Sequence, residues 1–483
     1  MNDSIGTSSF SYDANGRVTS FTDADGFTLS YTYDPAGNVT QITYPDASTV
    51  TYTYDAANRM ITVTDWLGEQ ATYAYDQDGR LATLTQFNGI VTTYSYDAAS
   101  RLTGTANSVV SYQFTLDGDG NRVNSTESQP INATAANGVS AVYTYNAQKD
   151  RLLSAGPLSY TYDNEGQLVN SGGACLTFDY NHRLVEIGGD TQFSYDGRGN
   201  RLSATRTGVT TSYIYDPWGN LIADADSNGG THKYIYGKGL LAVATSSGRY
   251  CYHFNGIGST VAITDMNQNI VNSYAYDPFG QILGQQETVA QPFKYVGQYG
   301  VMAEPNGLYY MRARYYDPTV GRFIGEDPLG FGGGDVNLFA YVRNNATNFI
   351  DPFGLDPIGA PPVPVPGGGP DTGWKWNPNN QNSRGGTWGP DEPVPGQSQP
   401  SASWDPEGHW DIDNGLGQRS RCDENGNPMS PEEAHGRNPE PRQSPDPLDP
   451  PVPPIAPIPS WQNLLDPFWM IMINPHVFDP PPA

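Results

Sequence analysis

Between residues 10 and 106, apolar and polar side chains alternate with a period of two, in short runs divided by clusters of Asp, Gly, Asn and Ser. Such alternation, as in Y-T-Y-D and V-T-Q-I-T-Y, predicts half-buried β-strands. The pattern also recurs. Tyr-Asp stands at 12–13, 33–34, 54–55, 75–76 and 96–97, a constant step of 21 residues. Looser copies follow in YTYNAQKDRL, YTYDNEGQLV, SYDGRGNRL, YIYDPWGNLI and YAYDPFGQIL. Between strands, D-x-x-G-[NR] supplies an Asp to bond the turn backbone and a Gly or Asn to accept positive φ. Each copy therefore predicts a β-hairpin, and neighbouring hairpins must pair to bury their aromatic face. No window sustains apolar residues at three-four spacing beyond a turn or two, so a helical fold is excluded. In this frame the tyrosines are packing and edge contacts, and the repeat aspartates are turn formers.

Composition narrows the picture. A length of 483 residues corresponds to about three domains. Gly and Pro make up 94 of them, which again argues against long helices. The net charge of −26 excludes a protein that coats nucleic acid, while leaving room for a local site. Three widely spaced cysteines, Cys175, Cys251 and Cys422, exclude a disulfide framework. No apolar stretch approaches the roughly 18 residues of a membrane span. The start, MNDSIGTSSF, has neither the basic region nor the apolar core of a secretory signal peptide.

The Y-D-x-x-G-[NR]-[LV] period resembles the YD repeats of Rhs proteins. The likeness strengthens downstream. YCYHFNGIGSTVAITD (250–265), FKYVGQYGVMAEPNGLYYMRARYYDPTVGRFIGEDPLG (293–330) and FGGGDVNLFAYVRNNATNFIDPFGL (331–355) follow the order of the Rhs-associated core, with Ile257 and Ala346 as departures. The resemblance covers about 355 of the 483 residues. It implies a mainly β fold, in which antiparallel YD-repeat hairpins spiral into a shell or partial cocoon around a C-terminal toxin. On this reading residues 1–290 are the shell, 291–355 the core plug and 356–483 a variable tail. Family shells are usually longer, so a chain that opens inside a repeat is expected to be a C-terminal part or a truncated gene end.

The resemblance also implies self-cleavage after the DPxGL motif, by an aspartyl-protease-like pair. Asp327 and Asp351 stand in duplicate D-P-x-G contexts, 24 residues apart. Arg322, of the GRF motif, would lie nearby, and Leu355–Asp356 would be the scissile bond. Two carboxylates sharing a proton can activate water against a peptide carbonyl, because like charges push their pKa values apart. Asp-Pro-x-Gly is equally a turn sequence, and residues alone favour that reading.

The tail differs in composition, with 29 of the 40 prolines in 356–483 and a charge of −11. Residues 356–370 read as a linker and 441–483 as a proline-rich end, leaving 371–440 as a small toxin unit in a largely irregular tail. There His409 and His435 could serve as acid and base of RNA cleavage, with Arg419 and Arg421 on the phosphate. The same histidines with Asp411 or Asp413 could instead hold a divalent metal, or the cluster could be polar surface with Ser430 and Glu433 capping a short helix. No cofactor is expected. The expected partners are an immunity protein, a secretion apparatus and target-cell nucleic acid reached through the tail, for a protein exported to the cell surface or beyond. An adhesion protein that contacts glycans through its tyrosines, or a degenerate fragment, are the alternatives.

Overall fold

The computed structural model describes residues 6–131, 142–147, 150–333 and 335–355, with the backbone of six short strands between 358 and 423. Twelve strands, from Ser9–Tyr12 to Arg122–Ser128, form one antiparallel sheet in strict chain order. Sixteen more, from Tyr143–Tyr145 to Ile282–Glu287, form a second in the same way. A four-stranded sheet follows: Met302–Ala303, Tyr309–Met311, Arg314–Asp317 and Arg322–Phe323. These elements form one unit. Five strands between Trp374 and Asp423 form another, with their own antiparallel order.

The repeat explains itself at atomic level. Asp55 Oδ1 accepts the N–H groups of Ala57 and Arg59, each at 2.9 Å, closing the turn. Its other oxygen pairs with Arg59, whose guanidinium lies 4.5 Å from the ring centre of Tyr75, one repeat on. The hydroxyl of each repeat tyrosine donates to a carbonyl fifteen residues back: Tyr33 to Val18, Tyr54 to Val39, Tyr75 to Met60 and Tyr96 to Leu81. Asp, Arg and Tyr thus tie each hairpin to its neighbour. Tyr54→Phe should lower the unfolding free energy by about 1 kcal/mol, the net value of one hydrogen bond, measured by urea titration.

The second decision is where the sheets meet. A row of turns in the first sheet, repeating with the same period, lies on strands of the second. Tyr44 donates to the carbonyl of Tyr234 (2.7 Å), Arg249 pairs with Asp65, and Gln86 Nε2 donates to the carbonyl of Tyr252 (3.1 Å). Asn88 Nδ2 donates to Thr264 Oγ1 (2.8 Å). Leu29, Val50, Val63 and Ala71 of the first sheet are buried in one cluster with Tyr234, Val243, Tyr252 and Ile263 of the second.

His253 sits in this seam at 2 % exposure. Asn107 Oδ1 accepts from the N–H groups of Val109 and Val110, so its Nδ2 must be the atom facing His253 Nδ1, at 3.4 Å. Nδ1 is therefore the acceptor, and Nε2–H donates to Thr264 Oγ1 at 2.8 Å. Burial depresses the imidazole from 6.5 to about 4. A depressed folded-state value means the unfolded chain binds the proton first. The contribution of neutral His253 is complete above pH 6.5 and lost as pH falls through about 4. A melting series over that window should show His253→Gln losing less stability than the parent as pH falls.

Candidate functional site

Asp327 and Asp351 both begin D-P-x-G turns, and both use Oδ1 for them. Asp327 Oδ1 accepts from Leu329 N–H (2.9 Å), and Asp351 Oδ1 accepts from Leu355 N–H (3.0 Å). Their second oxygens do something the repeat aspartates do not. Both reach one nitrogen, Arg314 Nη2, at 2.7 and 3.4 Å, which bounds the separation of the two Oδ2 atoms at 6.1 Å. In each side chain one oxygen closes the turn and the other is directed to Arg314.

Arg314 projects from the Tyr309–Met311/Arg314–Asp317 hairpin and is almost fully occupied. Its Nε donates to the carbonyl of Gly354 (2.6 Å) and its Nη1 to that of Leu338 (3.1 Å), and its guanidinium lies 3.6 Å from the ring centre of Phe323. Burial raises Asp327 above the ordinary carboxylate value, against the opposing pull of Arg314. Asp351 is 2 % exposed.

The DPFGL segment is held against this hairpin by glycine. Gly354 has φ +66°, and a Cβ there would stand 2.6 Å from the carbonyl oxygen of Met311 and 2.9 Å from Arg314 N. Only a residue without Cβ lets the chain lie so close. Gly333 closes the other side: its missing Cβ would lie 2.5 Å from Asp327 Oδ2 and 3.0 Å from the Leu355 carbonyl oxygen. That carboxylate oxygen and that carbonyl oxygen are thus no more than 5.5 Å apart. Asp327, Asp351, Arg314 and Leu355 share one recess with Gly333, Asp335, Asn337 and Arg343.

Arg322 stands elsewhere. Its Nη2 donates to the carbonyl of Asp150 and to Asn337 Oδ1, and its guanidinium lies between Tyr145 and Phe339. The arginine that joins the two carboxylates is Arg314, in the M-R-A-R-Y-Y-D-P run, where sequence reasoning placed no site residue. Arg312, Arg314 and Arg322 all precede both D-P-x-G turns in the sequence, and only the hairpin's geometry selects among them.

Val342, Arg343 and Asn344 form a turn with φ of +43°, +55° and +58°. Three successive non-glycine residues in the left-handed region cost roughly 1–2 kcal/mol each. Buried neighbours hold them there: Tyr341 lies in the ring cluster of Tyr295, Tyr316 and Phe323, and Val342 and Ala346 are buried beside it.

In the second unit, His409, Arg419 and Arg421 are described as strand backbone. Antiparallel register pairs His409 with Asp423, Asp411 with Arg421 and Asp413 with Arg419. The described strands of this unit lie between Trp374 and Asp423. His435, Asp356 and the ends of the tail lie outside the described residues. Among the described residues no group of His, Cys, Asp or Glu forms a metal-type cluster, and no helix is long and apolar enough to cross a membrane.

Comparison with known proteins gives concordant results. The Teneurin YD-shell family model matches residues 80–332, and the RHS Repeat model matches 12–49 and 47–70. The chain is similar to the tRNA nuclease WapA of Bacillus subtilis, 31 % identical over 259 residues, which is 50 % of this chain and 11 % of that protein. It is similar to the toxin protein Tse5 of Pseudomonas aeruginosa, 36 % identical over 104 residues, 22 % of this chain and 8 % of that one. The chain thus spans about a tenth of these relatives' length. Its fold is like that in the crystal structure of TcdB2-TccC3-Cdc42, with TM-score 0.52 and 18 % identity over 73 % of this chain and 24 % of that one.

Proposed function

This chain belongs to the YD-shell family of RHS-repeat proteins, and we propose that it is a polymorphic toxin, or the C-terminal part of one, that cleaves itself after Leu355. The observation that carries the reading is the convergence of Asp327, Asp351 and the Leu355 carbonyl on one recess, with Arg314 between the carboxylates. Relatives named as toxins support the wider role.

The step uses one water. Asp351, acting as the base, takes a proton from it, and the oxygen adds to the Leu355 carbonyl carbon. The raised carboxyl of Asp327 keeps its proton more readily and gives it to the Asp356 nitrogen as the C–N bond breaks. Leu355 becomes a C-terminal carboxylate and Asp356 a free amine. Arg314 keeps the two carboxylates in place and limits their mutual repulsion.

Residues 356–483 are then the cargo, enclosed by the shell until delivery to a competing cell, with an immunity protein guarding the producer and a secretion apparatus exporting it. Two histidines, His409 and His435, are the acid–base candidates for a nuclease-like activity, with Arg419 and Arg421 for the phosphate. Intact mass of the expressed 483-residue chain tests the reading. Two products, one ending at Leu355 and one beginning at Asp356, are expected. An undivided chain would reject it.

A further inference from the structure

Hydrolysis after Leu355 builds negative charge on the Leu355 carbonyl oxygen, and a buried site needs a donor for it. Arg314 has little to offer, because four of its five N–H groups already serve Gly354, Leu338, Asp327 and Asp351. Another guanidinium lines the same recess. Arg343 reaches it from the left-handed turn Val342–Asn344, and its Nε is buried with no hydrogen-bond partner among the described residues. A buried, unengaged arginine donor beside two carboxylates and a carbonyl calls for an explanation. So does a backbone held in an unfavourable conformation to bring it there.

We propose that Arg343 is the donor kept for the negative charge of the Leu355 carbonyl oxygen, first in the tetrahedral intermediate and then in the new C-terminal carboxylate. The inference rests on the self-cleavage reading. It adds the one function that the carboxylates and Arg314 leave unfilled. It also gives the strained turn a purpose: Tyr341 and Val342 anchor it in the core, while Arg343 faces the recess.

The test is Arg343→Gly, which removes the guanidinium and also suits the left-handed backbone, so folding should not suffer. The full chain is translated in vitro, quenched in denaturant at intervals, and the cut fraction measured by intact mass. Arg343→Gly should cleave roughly 100-fold more slowly, in line with loss of an oxyanion donor. Its melting midpoint should be equal or higher. Guanidinium ion, at a concentration too low to unfold the chain, should restore part of the rate in Arg343→Gly and none in Asp351→Asn. Three results overturn the inference. If Arg343→Gly cleaves at the parental rate while Asp351→Asn does not cleave, Arg343 has no part and the carboxylate pair stands. A slow Arg343→Gly with a lowered midpoint and no response to guanidinium makes the residue structural. If the parent never cleaves, or Asp351→Asn cleaves as fast, the pair reading itself fails and this inference falls with it.

Discussion

Asp351→Asn should leave the chain in one piece, and Asp327→Asn should do the same. Each substitution keeps the shape of its side chain and the oxygen that closes the D-P-x-G turn, so Leu355 N–H and Leu329 N–H keep an acceptor. What is lost is the chemistry. An amide at 351 cannot take a proton from water, and an amide at 327 cannot pass one to the leaving nitrogen. Arg314 would also face one carboxylate instead of two. The expected loss is at least about a thousand-fold in the first-order rate of chain cleavage, since the pair acts as a unit. Time-resolved intact mass of parent and variants measures it. A chain with either amide that still divides after Leu355 within the parent's half-time would show that neither carboxylate does the work. Arg322→Gln, by contrast, should cleave normally once folded, because its contacts run to Asp150, Asn337 and two rings.

Glu304→Ala should be the most destabilising single change in the described part of the chain. Glu304 is joined to Arg201 and Arg206 of the strand Arg201–Arg206, with Arg206 Nη2 at 2.5 Å. Both Glu304 and Arg201 have side chains at 1 % exposure. Rings of Phe193, Tyr213 and Tyr310 surround the Arg201 guanidinium, and Tyr315 accepts from it at 3.1 Å. Removing the carboxylate leaves a buried cation with no counter-charge, a loss of about 3–5 kcal/mol. Breaking the half-buried, solvent-accessible Arg59–Asp55 pair should cost under about 1 kcal/mol. Replacing both members, Arg201→Met with Glu304→Leu, should cost less than Glu304→Ala alone, because no charge is then stranded. Chemical denaturation of the three variants decides it. If Glu304→Ala unfolds with the parental midpoint, the network contributes nothing. Because Tyr310 and Tyr315 belong to the hairpin that carries Arg314, loss of this fastening should also slow cleavage.

The likeness to Rhs cores singled out the two carboxylates that the structure brings to one arginine, and their turn geometry is local enough to be read from D-P-x-G. Which arginine serves them was not legible. Arg322 lies five residues from Asp327 in sequence, while Arg314 lies 13 from Asp327 and 37 from Asp351. The resemblance pointed to Arg322, whereas the hairpin folds Arg314 back between turns that are far apart in the chain. Arg343 carried no sequence signal at all. Its neighbours look like ordinary loop residues, and its role depends on three left-handed backbone conformations that no residue type there demands.

By itself the sequence determined the hairpins. In each turn aspartate accepts from backbone N–H groups up to four residues on, and the repeat tyrosine bonds a carbonyl fifteen residues back, so the repeat contains nearly everything that defines its strands. Tertiary structure alone decided how the sheets meet and what the plug does. Tyr44 finds Tyr234, Arg201 finds Glu304, and one arginine joins two aspartates, across 190, 103 and up to 37 residues of chain. Those choices follow from burial: a charged or hydroxyl group taken out of water must find a partner wherever packing brings one, and the packing of a long repeat is a property of the whole sheet.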